Sequence, residues 1–296
     1  MATAVSNPLV DHQLLTQLEQ AAFASKRTFR GRVKGERKSP HKGSSVEFSD
    51  YRPYELGDDP RYVDWNVFGR LDRLYLKLFV DEEDFCVHLL LDGSASMDFG
   101  GPNKFHYARQ LAAALAFVGL VNHERVGVGV LRDRLMEGWS PTRGRTQFFP
   151  LSGFLASLSP HGETSLNQAL KQYAMGAKEI GLAIVISDLL DPRGYESGLR
   201  ALRERRFDLH VIHLLAPEEI EPTGGGDVRL FDVESGEARE LTLDAETLRD
   251  YRRRVDEFLK RAEQYCVANE ISYHRVVTNT PLHDLLLRRL KGVLLE

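Results

Sequence analysis

Two apolar runs in the 296-residue chain end in aspartate, with hydroxyl side chains close by. The first, Cys86–Asp92 (CVHLLLD), leads into Gly93-Ser94-Ala95-Ser96; the second, Gly181–Asp188 (GLAIVISD), ends in Ser187-Asp188. Between them, Gly162-Glu163-Thr164-Ser165-Leu166 opens a helix ahead of the second run. Parallel sheets bind ligands beyond the carboxyl ends of their strands. If the two runs are neighbouring strands, Asp92, Ser94, Ser96, Thr164 and Asp188 converge at one point there. Two carboxylates and three hydroxyls make an all-oxygen donor set. Such a set suits Mg²⁺, with Mn²⁺ or Ca²⁺ as alternatives, and not zinc. An ion held mainly by neutral hydroxyls keeps its affinity for one more anionic oxygen, which a partner's Asp or Glu would supply. The plainer reading is that each aspartate caps a helix or shapes a turn. The order of the three pieces on suitable elements favours the metal.

The elements that must position these residues alternate between strand and helix from Phe85 onward. Cys86–Asp92 is apolar throughout, as expected of a strand buried on both faces. Lys104–Val121 is predicted as a long helix, Arg125–Leu131 as a strand, and Leu135–Trp139 with Thr146–Phe149 as a hairpin edge. A helix over Leu166–Ala177, the strand Gly181–Asp188, a helix over Leu199–Arg206 and the strand Asp208–Leu215 follow. A hairpin turning at Ser235-Gly236, a helix over Asp244–Ala268 and a strand over Ile271–Thr278 complete the pattern. Thr280-Pro281 is expected to start a C-terminal helix, with the threonine as cap. Repeated β-α-β units imply an α/β fold: a doubly wound, Rossmann-like, mostly parallel sheet flanked by helices. Upstream, Leu14, Leu15, Leu18 and Ala22 mark a short helix, and Leu74, Leu76, Leu78 and Val80 alternate as a strand. The expected division is a smaller, β-containing N-terminal segment over 1–84 and a large α/β domain over 85–296.

Composition narrows the function classes. Apolar residues make up 42% and charged residues 28%, the balance of a globular protein. Two cysteines, Cys86 and Cys266, exclude a disulfide framework and a zinc cluster of thiolates. The longest apolar stretch, Leu111–Val121, falls short of the roughly 20 residues of a spanning helix. The N-terminal residues lack a signal-peptide plan, so a cytoplasmic protein without membrane insertion is expected. The net charge of −4 hides a +7 arm: eight basic residues and one acidic residue between Lys26 and Lys42, leaving −11 on the remainder. That arm would suit nucleic acid or an acidic partner, but only Phe29 offers a stacking ring. A solvated or intramolecularly paired arm is the favoured reading.

The pattern D-x-S-x-S, then a threonine, then a later aspartate resembles the metal-ion-dependent adhesion site of von Willebrand factor type A domains. Asp92, Ser94, Ser96, Thr164 and Asp188 match its five positions. The run His41–Arg70 (HKGSSVEFSDYRPYELGDDPRYVDWNVFGR), followed by DGSASM, is similar to the bacterial family known as domain of unknown function 58. Its members pair such a segment with a von Willebrand type A fold. The resemblance implies a non-enzymatic, metal-dependent protein-binding module, working with a MoxR-type AAA+ ATPase in protein maturation or complex assembly. Longer members carry N-terminal membrane helices, and that tethering does not transfer to this chain.

Rival chemistries meet obstacles at the same residues. A metal-dependent phosphoryl hydrolase on such a sheet wants a second acid two residues after its aspartate, where this chain has Ser94. No G-x-S-x-G elbow and no GxxxxGK[ST] phosphate loop occurs. His210 and His213 are three apart on a strand, so they face opposite sides and read as packing or surface residues. Cys86 reads as an inert core thiol. Arg52, Asp58, Asp59, Arg61, Asp64, Trp65 and Arg70 suit a partner-binding surface and a structural brace equally.

Overall fold

The structure, a computed structural model, describes residues 9–24, 46–81, 85–222, 226–231 and 238–296. The basic arm 26–42 lies outside the described residues, as does the hairpin turn at Ser235-Gly236. The chain divides into two compact units: Met1–Lys26 with Phe85–Glu296, and Arg27–Asp84.

The larger unit is built on a six-stranded sheet. Its strands are β3 (Cys86–Asp92), β4 (Arg125–Leu131), β5 (Leu135–Arg143), β6 (Leu182–Ser187), β7 (Asp208–Leu215) and β10 (Ser272–Val277). The spatial order is β10-β7-β6-β3-β4-β5, with every pairing parallel except β4 with β5. The expected α/β class with a mostly parallel sheet is therefore what the chain adopts. β3 is buried along its whole length and sits between β4 and β6. From β3 the chain first moves outward to β4 and β5, then returns to lay β6 on the other side of β3. That reversal opens the crevice between the carboxyl ends of β3 and β6.

Alternation along β3 assigns the two faces of the sheet. Val87, Leu89 and Leu91 join a core with α3 (Lys104–Val121), α1 (His12–Leu18) and α4 (Phe148–Ser157). Leu90 joins the opposite core with α5 (Leu166–Gly176), α6 (Glu196–Glu204) and the C-terminal part of α8 (Ala245–Ala268). α3 is apolar around most of its circumference, and most of it is buried accordingly. α1 places Leu14, Leu15 and Leu18 in the α3-side core, so the first residues group with the larger unit and not with the segment that follows them.

Two local expectations are corrected. Thr146–Phe149 is not a strand: the backbone turns at Gly144 with φ 95°, and Phe148, Leu151 and Leu155 bury one side of helix α4. Thr280 does not cap a helix with its side chain; its carbonyl accepts from Tyr107 Oη at 2.9 Å. The ending is α9 (Leu282–Asp284) running into one π-type turn, Leu285–Arg289.

The smaller unit pairs β1 (Val46–Pro53) antiparallel with β2 (Tyr75–Asp81) and carries α2 (Trp65–Leu71) between them. Across the larger unit, α7 (Pro217–Ile220) follows β7, and the hairpin of β8 (Gly226–Phe231) with β9 (Ala238–Leu243) precedes α8.

Candidate metal centre

Asp92 is the last residue of β3 and fully buried, so its carboxylate needs partners inside the protein. Oδ1 accepts from Ser94 N at 3.0 Å and Ser94 Oγ at 2.7 Å. Oδ2 accepts from Ser187 Oγ at 2.6 Å, and Ser187 Oγ accepts in turn from Leu189 N at 2.9 Å. Ser94 and Ser96 hydroxyls lie 3.0 Å apart, with Ser96 half-buried where the crevice opens. Glycine at position 93 keeps the turn after Asp92 uncrowded: a Cβ there would meet Val130 Cγ1 at 3.0 Å and Arg132 Nε at 3.1 Å. Burial, then the negative charge of Asp188, raises the Asp92 carboxyl to about 7, against hydrogen bonds from Ser187 and Ser94 that favour its ionised form.

The threonine loop is tied to this turn by its backbone. Ala95 N donates to Gly162 O at 3.0 Å, and His161 N to Gly93 O at 3.0 Å. Asp191, which the sequence reading passed over, fixes the other end: its Oδ2 accepts from Leu166 N at 2.7 Å at the start of α5. Thr164 is thereby buried, and its Oγ1 has no hydrogen-bond partner. An orphaned buried hydroxyl is uncommon.

Asp188 directly follows β6, and the backbone passes through the left-handed region at Leu189 with φ 57°. Its Oδ1 accepts from Leu190 N at 3.1 Å and its Oδ2 from Lys104 Nζ at 2.7 Å. Lys104 is fully buried at the start of α3 and also donates to Glu219 Oε1 at 2.5 Å. Burial works against the ammonium, but Asp188 and Glu219 outweigh it and the Lys104 pKa is raised, so the side chain stays charged. Lys104, Ser187 and Glu219 were absent from the sequence-derived set. Lys104 did leave a trace: it shares one helical stripe with Ala108, Leu111 and Leu115, where a charge is out of place.

The five expected donors thus lie on the three loops that crown β3, β6 and α5. Among the described residues, no group of three His, Cys, Asp or Glu side chains is placed to hold a metal, so any ion here would rely on hydroxyls. The orphaned Thr164 Oγ1 and the linked Asp92, Ser94 and Ser96 oxygens fit a hard, oxygen-seeking cation. Both Asp188 oxygens are engaged within the protein, by Lys104 and Leu190. Phe99 and Leu190 are 43% and 42% exposed on the adjoining loops.

The remaining singled-out residues separate. His210 and His213 are buried: His210 Nδ1 lies 3.1 Å from His274 Nε2, and His213 Nδ1 lies 2.7 Å from Tyr273 Oη. Cys86 is buried and its thiol is pushed up to about 12, mainly by burial. In the smaller unit Arg52 pairs with Asp58 at 2.7 Å, and Arg61 with Asp59 at 2.5 Å. Asp64 accepts from Tyr51 Oη at 2.9 Å and pairs with Lys77 at 3.0 Å. Trp65 stays 62% exposed and meets Phe68 edge-on at 6.1 Å, and Arg70 is exposed in the last turn of α2.

A family model described as "Protein of unknown function DUF58" matches residues 50–261. The chain belongs to this family. Among curated proteins, an uncharacterized protein of Mycobacterium tuberculosis is 28% identical over 248 residues, covering 82% of this chain and 78% of that one. A shorter match, to a Mycobacterium avium protein, is 38% identical over 71 residues and covers 24% of this chain and 41% of that one. Among solved structures, BatB from Bacteroides thetaiotaomicron is similar at 18% identity and a TM-score of 0.46, covering 70% of this chain and 97% of that one. The SpRpn10 VWA domain gives 13% identity and 0.40, covering 69% and 94%. Manganese-loaded TRAP of Plasmodium vivax gives 24% and 0.30, covering 44% and 57%. The DUF58 chain is a mixed α/β protein with a mostly parallel central sheet flanked by helices, and no helix among its described residues is long and apolar enough to cross a membrane.

Proposed function

We propose that this DUF58 protein is a non-enzymatic, divalent-metal-dependent protein-binding module, with Mg²⁺ the favoured ion and Mn²⁺ or Ca²⁺ as alternatives. The observation that carries the reading is the buried, unpartnered Thr164 Oγ1 on the loop pinned to the Asp92-Gly93-Ser94-Ala95-Ser96 turn. Asp92 would provide the negative charge, and Ser94, Ser96 and Thr164 would provide neutral oxygens. Bound there, a divalent ion supplies a Lewis-acidic position for an outside anionic oxygen. Asp92 and Ser94 are held by Ser187 and by the turn itself, so the donors need little rearrangement. Exposed Phe99 and Leu190 offer apolar contact beside the crevice, and a carboxylate-bearing protein partner would use both features.

A MoxR-type AAA+ ATPase is the partner that the family resemblance suggests, with work in protein maturation or complex assembly. An ATPase partner of that kind would place the activity in the cytoplasm. The test is calorimetry with Mg²⁺ and with Mn²⁺ on the wild type and Asp92→Ala. Saturable binding by the wild type, lost in the variant, is the expected outcome; no binding of either ion to the wild type would remove the metal from the reading. The partner is tested by co-elution with a purified MoxR-type ATPase. Association should require the divalent ion and disappear with EDTA or Asp92→Ala.

A further inference from the structure

Beside the expected donors, the crevice holds a positive charge of its own. Lys104 is completely buried, with its Nζ between Asp188 Oδ2 and Glu219 Oε1. The free oxygen of each carboxylate is also engaged, Asp188 Oδ1 by Leu190 N at 3.1 Å and Glu219 Oε2 by Ala216 N at 2.7 Å. The triad joins the first residue of α3, the end of β6 and α7 after β7. Tyr251 Oη on α8 donates to the Glu219 carbonyl at 2.7 Å, fixing that corner as well.

Fold stability alone is a weak reason for such a triad. Buried ion pairs are often replaceable by apolar residues at no net cost, because removing charge from water offsets the attraction. Charge balance at the site gives a stronger reason. With all groups ionised, Asp92, Asp188 and Glu219 contribute three negative charges and Lys104 cancels one. A unit charge about 8 Å from a divalent ion, at an effective dielectric of about 20, changes the ion's binding constant by about three orders of magnitude before salt screens it.

We propose that Lys104 is a built-in counter-cation that sets the metal affinity of this site, neutralising Asp188 so that the loops stay assembled without an ion. An ion facing this reduced negative charge is held loosely and retains more attraction for an outside carboxylate. The inference rests on the metal reading above, and Lys104 is a positioning residue that never touches the ion.

Two variants shift the balance in opposite directions. Lys104→Met leaves three carboxylates without their counter-charge; Glu219→Gln leaves Lys104 facing one carboxylate fewer. The measurements are calorimetric titration with Mn²⁺ alone and thermal unfolding with and without EDTA, on the full chain. Lys104→Met is expected to bind Mn²⁺ at least about tenfold more tightly than the wild type and to melt earlier in EDTA, with recovery on adding Mn²⁺. Glu219→Gln is expected to bind about tenfold more weakly. The wild type should stay folded in EDTA, its melting temperature falling by less than that of Lys104→Met.

If Lys104→Met folds only in Mn²⁺, that also supports the proposal, and Glu219→Gln then supplies the affinity comparison. Binding by Lys104→Met but not by the wild type would mean that the ammonium replaces the ion outright. That result would overturn the metal reading and, with it, the claim that Lys104 tunes the affinity of a bound ion. Equal Mn²⁺ affinities in wild type and both variants, with Asp92→Ala inactive, would reduce Lys104 to a structural clip and leave the metal reading intact. A wild type whose melting temperature falls in EDTA as far as that of Lys104→Met would also overturn the counter-cation. Absence of Mn²⁺ binding in wild type and both variants would overturn both readings together.

Discussion

His88 shows what a single buried base does to the acid response of the chain. It lies within β3, its Nδ1 is 2.8 Å from Tyr173 Oη, and its ring meets Phe207 edge-on at 5.1 Å. Burial lowers its pKa to about 4. An unfolded chain gains that proton near pH 6.5, so between pH 6.5 and 4 the unfolded state binds a proton that the native state lacks. Stability from this residue is full above the window and falls as pH drops through it, by about 2 kcal/mol between pH 7 and 4.5. His88→Phe removes the titration and should flatten the pH profile of urea unfolding by about that amount; superimposable profiles would show that the imidazole plays no part. Residue-scale legibility follows the same logic of burial. Asp92, Ser94, Ser96 and Asp188 stand at or just after the ends of apolar runs, and Thr164 stands in the polar loop that opens the next helix, so local sequence picks them out. The Lys104 contacts could not, since Asp188 and Glu219 are 84 and 115 residues away and nothing local marks the pairing.

At the scale of elements, Asp64 decides much of the balance between brace and interface. Its Oδ1 accepts from Asn66 N at 2.9 Å and Val67 N at 3.3 Å, capping α2. Its Oδ2 takes Tyr51 Oη from β1 and Lys77 Nζ from β2, so one carboxylate ties a helix start to two strands. Lys77 first, with Tyr51 and the two amides, holds the Asp64 pKa at about 2 against the opposing effect of burial. A depressed carboxyl stabilises above its unfolded pKa, so this contribution is present above about pH 4 and is lost as pH falls toward 2. Asp64→Ala should therefore lower the melting temperature of the smaller unit and change the fluorescence of neighbouring Trp65. An unchanged melt with partner binding lost would instead make the aspartate a recognition residue. Exposed Trp65 and Arg70 leave room for recognition beside the brace. Parallel strands and long helices were legible here because β3, β6 and α3 carry continuous apolar sequence. Thr146–Phe149 was misread because two adjacent phenylalanines suit a strand as well as a helix start, and only the turn at Gly144 separates them.

For the whole molecule, the departure from the expected 1–84 and 85–296 division is the grouping of the first 26 residues with the unit that resumes at Phe85. The sequence showed a helix over these residues but not its partner. That partner is α3: Leu14, Leu15 and Leu18 join its core, and Gln110 Nε2 donates to Leu9 O at 3.0 Å. Asn122 Nδ2, at the other end of α3, donates to Ala21 O at 2.7 Å. The far C-terminus closes the arrangement, with Ala24 N donating to Leu294 O at 2.9 Å and Glu296 N to Ala22 O at 2.8 Å. α1 is only seven residues long, too short to be stable alone, so its helicity depends on this packing. Leu18 is fully buried, and cutting it back to alanine leaves a cavity worth about 2–5 kcal/mol. Leu18→Ala should therefore lower the urea midpoint of the larger unit, in which α3 carries Lys104, and lower the protection of α3 amides from hydrogen exchange. Loss confined to α1 amides, with the α3 amides and the urea midpoint unchanged, would show that the N-terminal helix is an appendage and not part of the same cooperative unit.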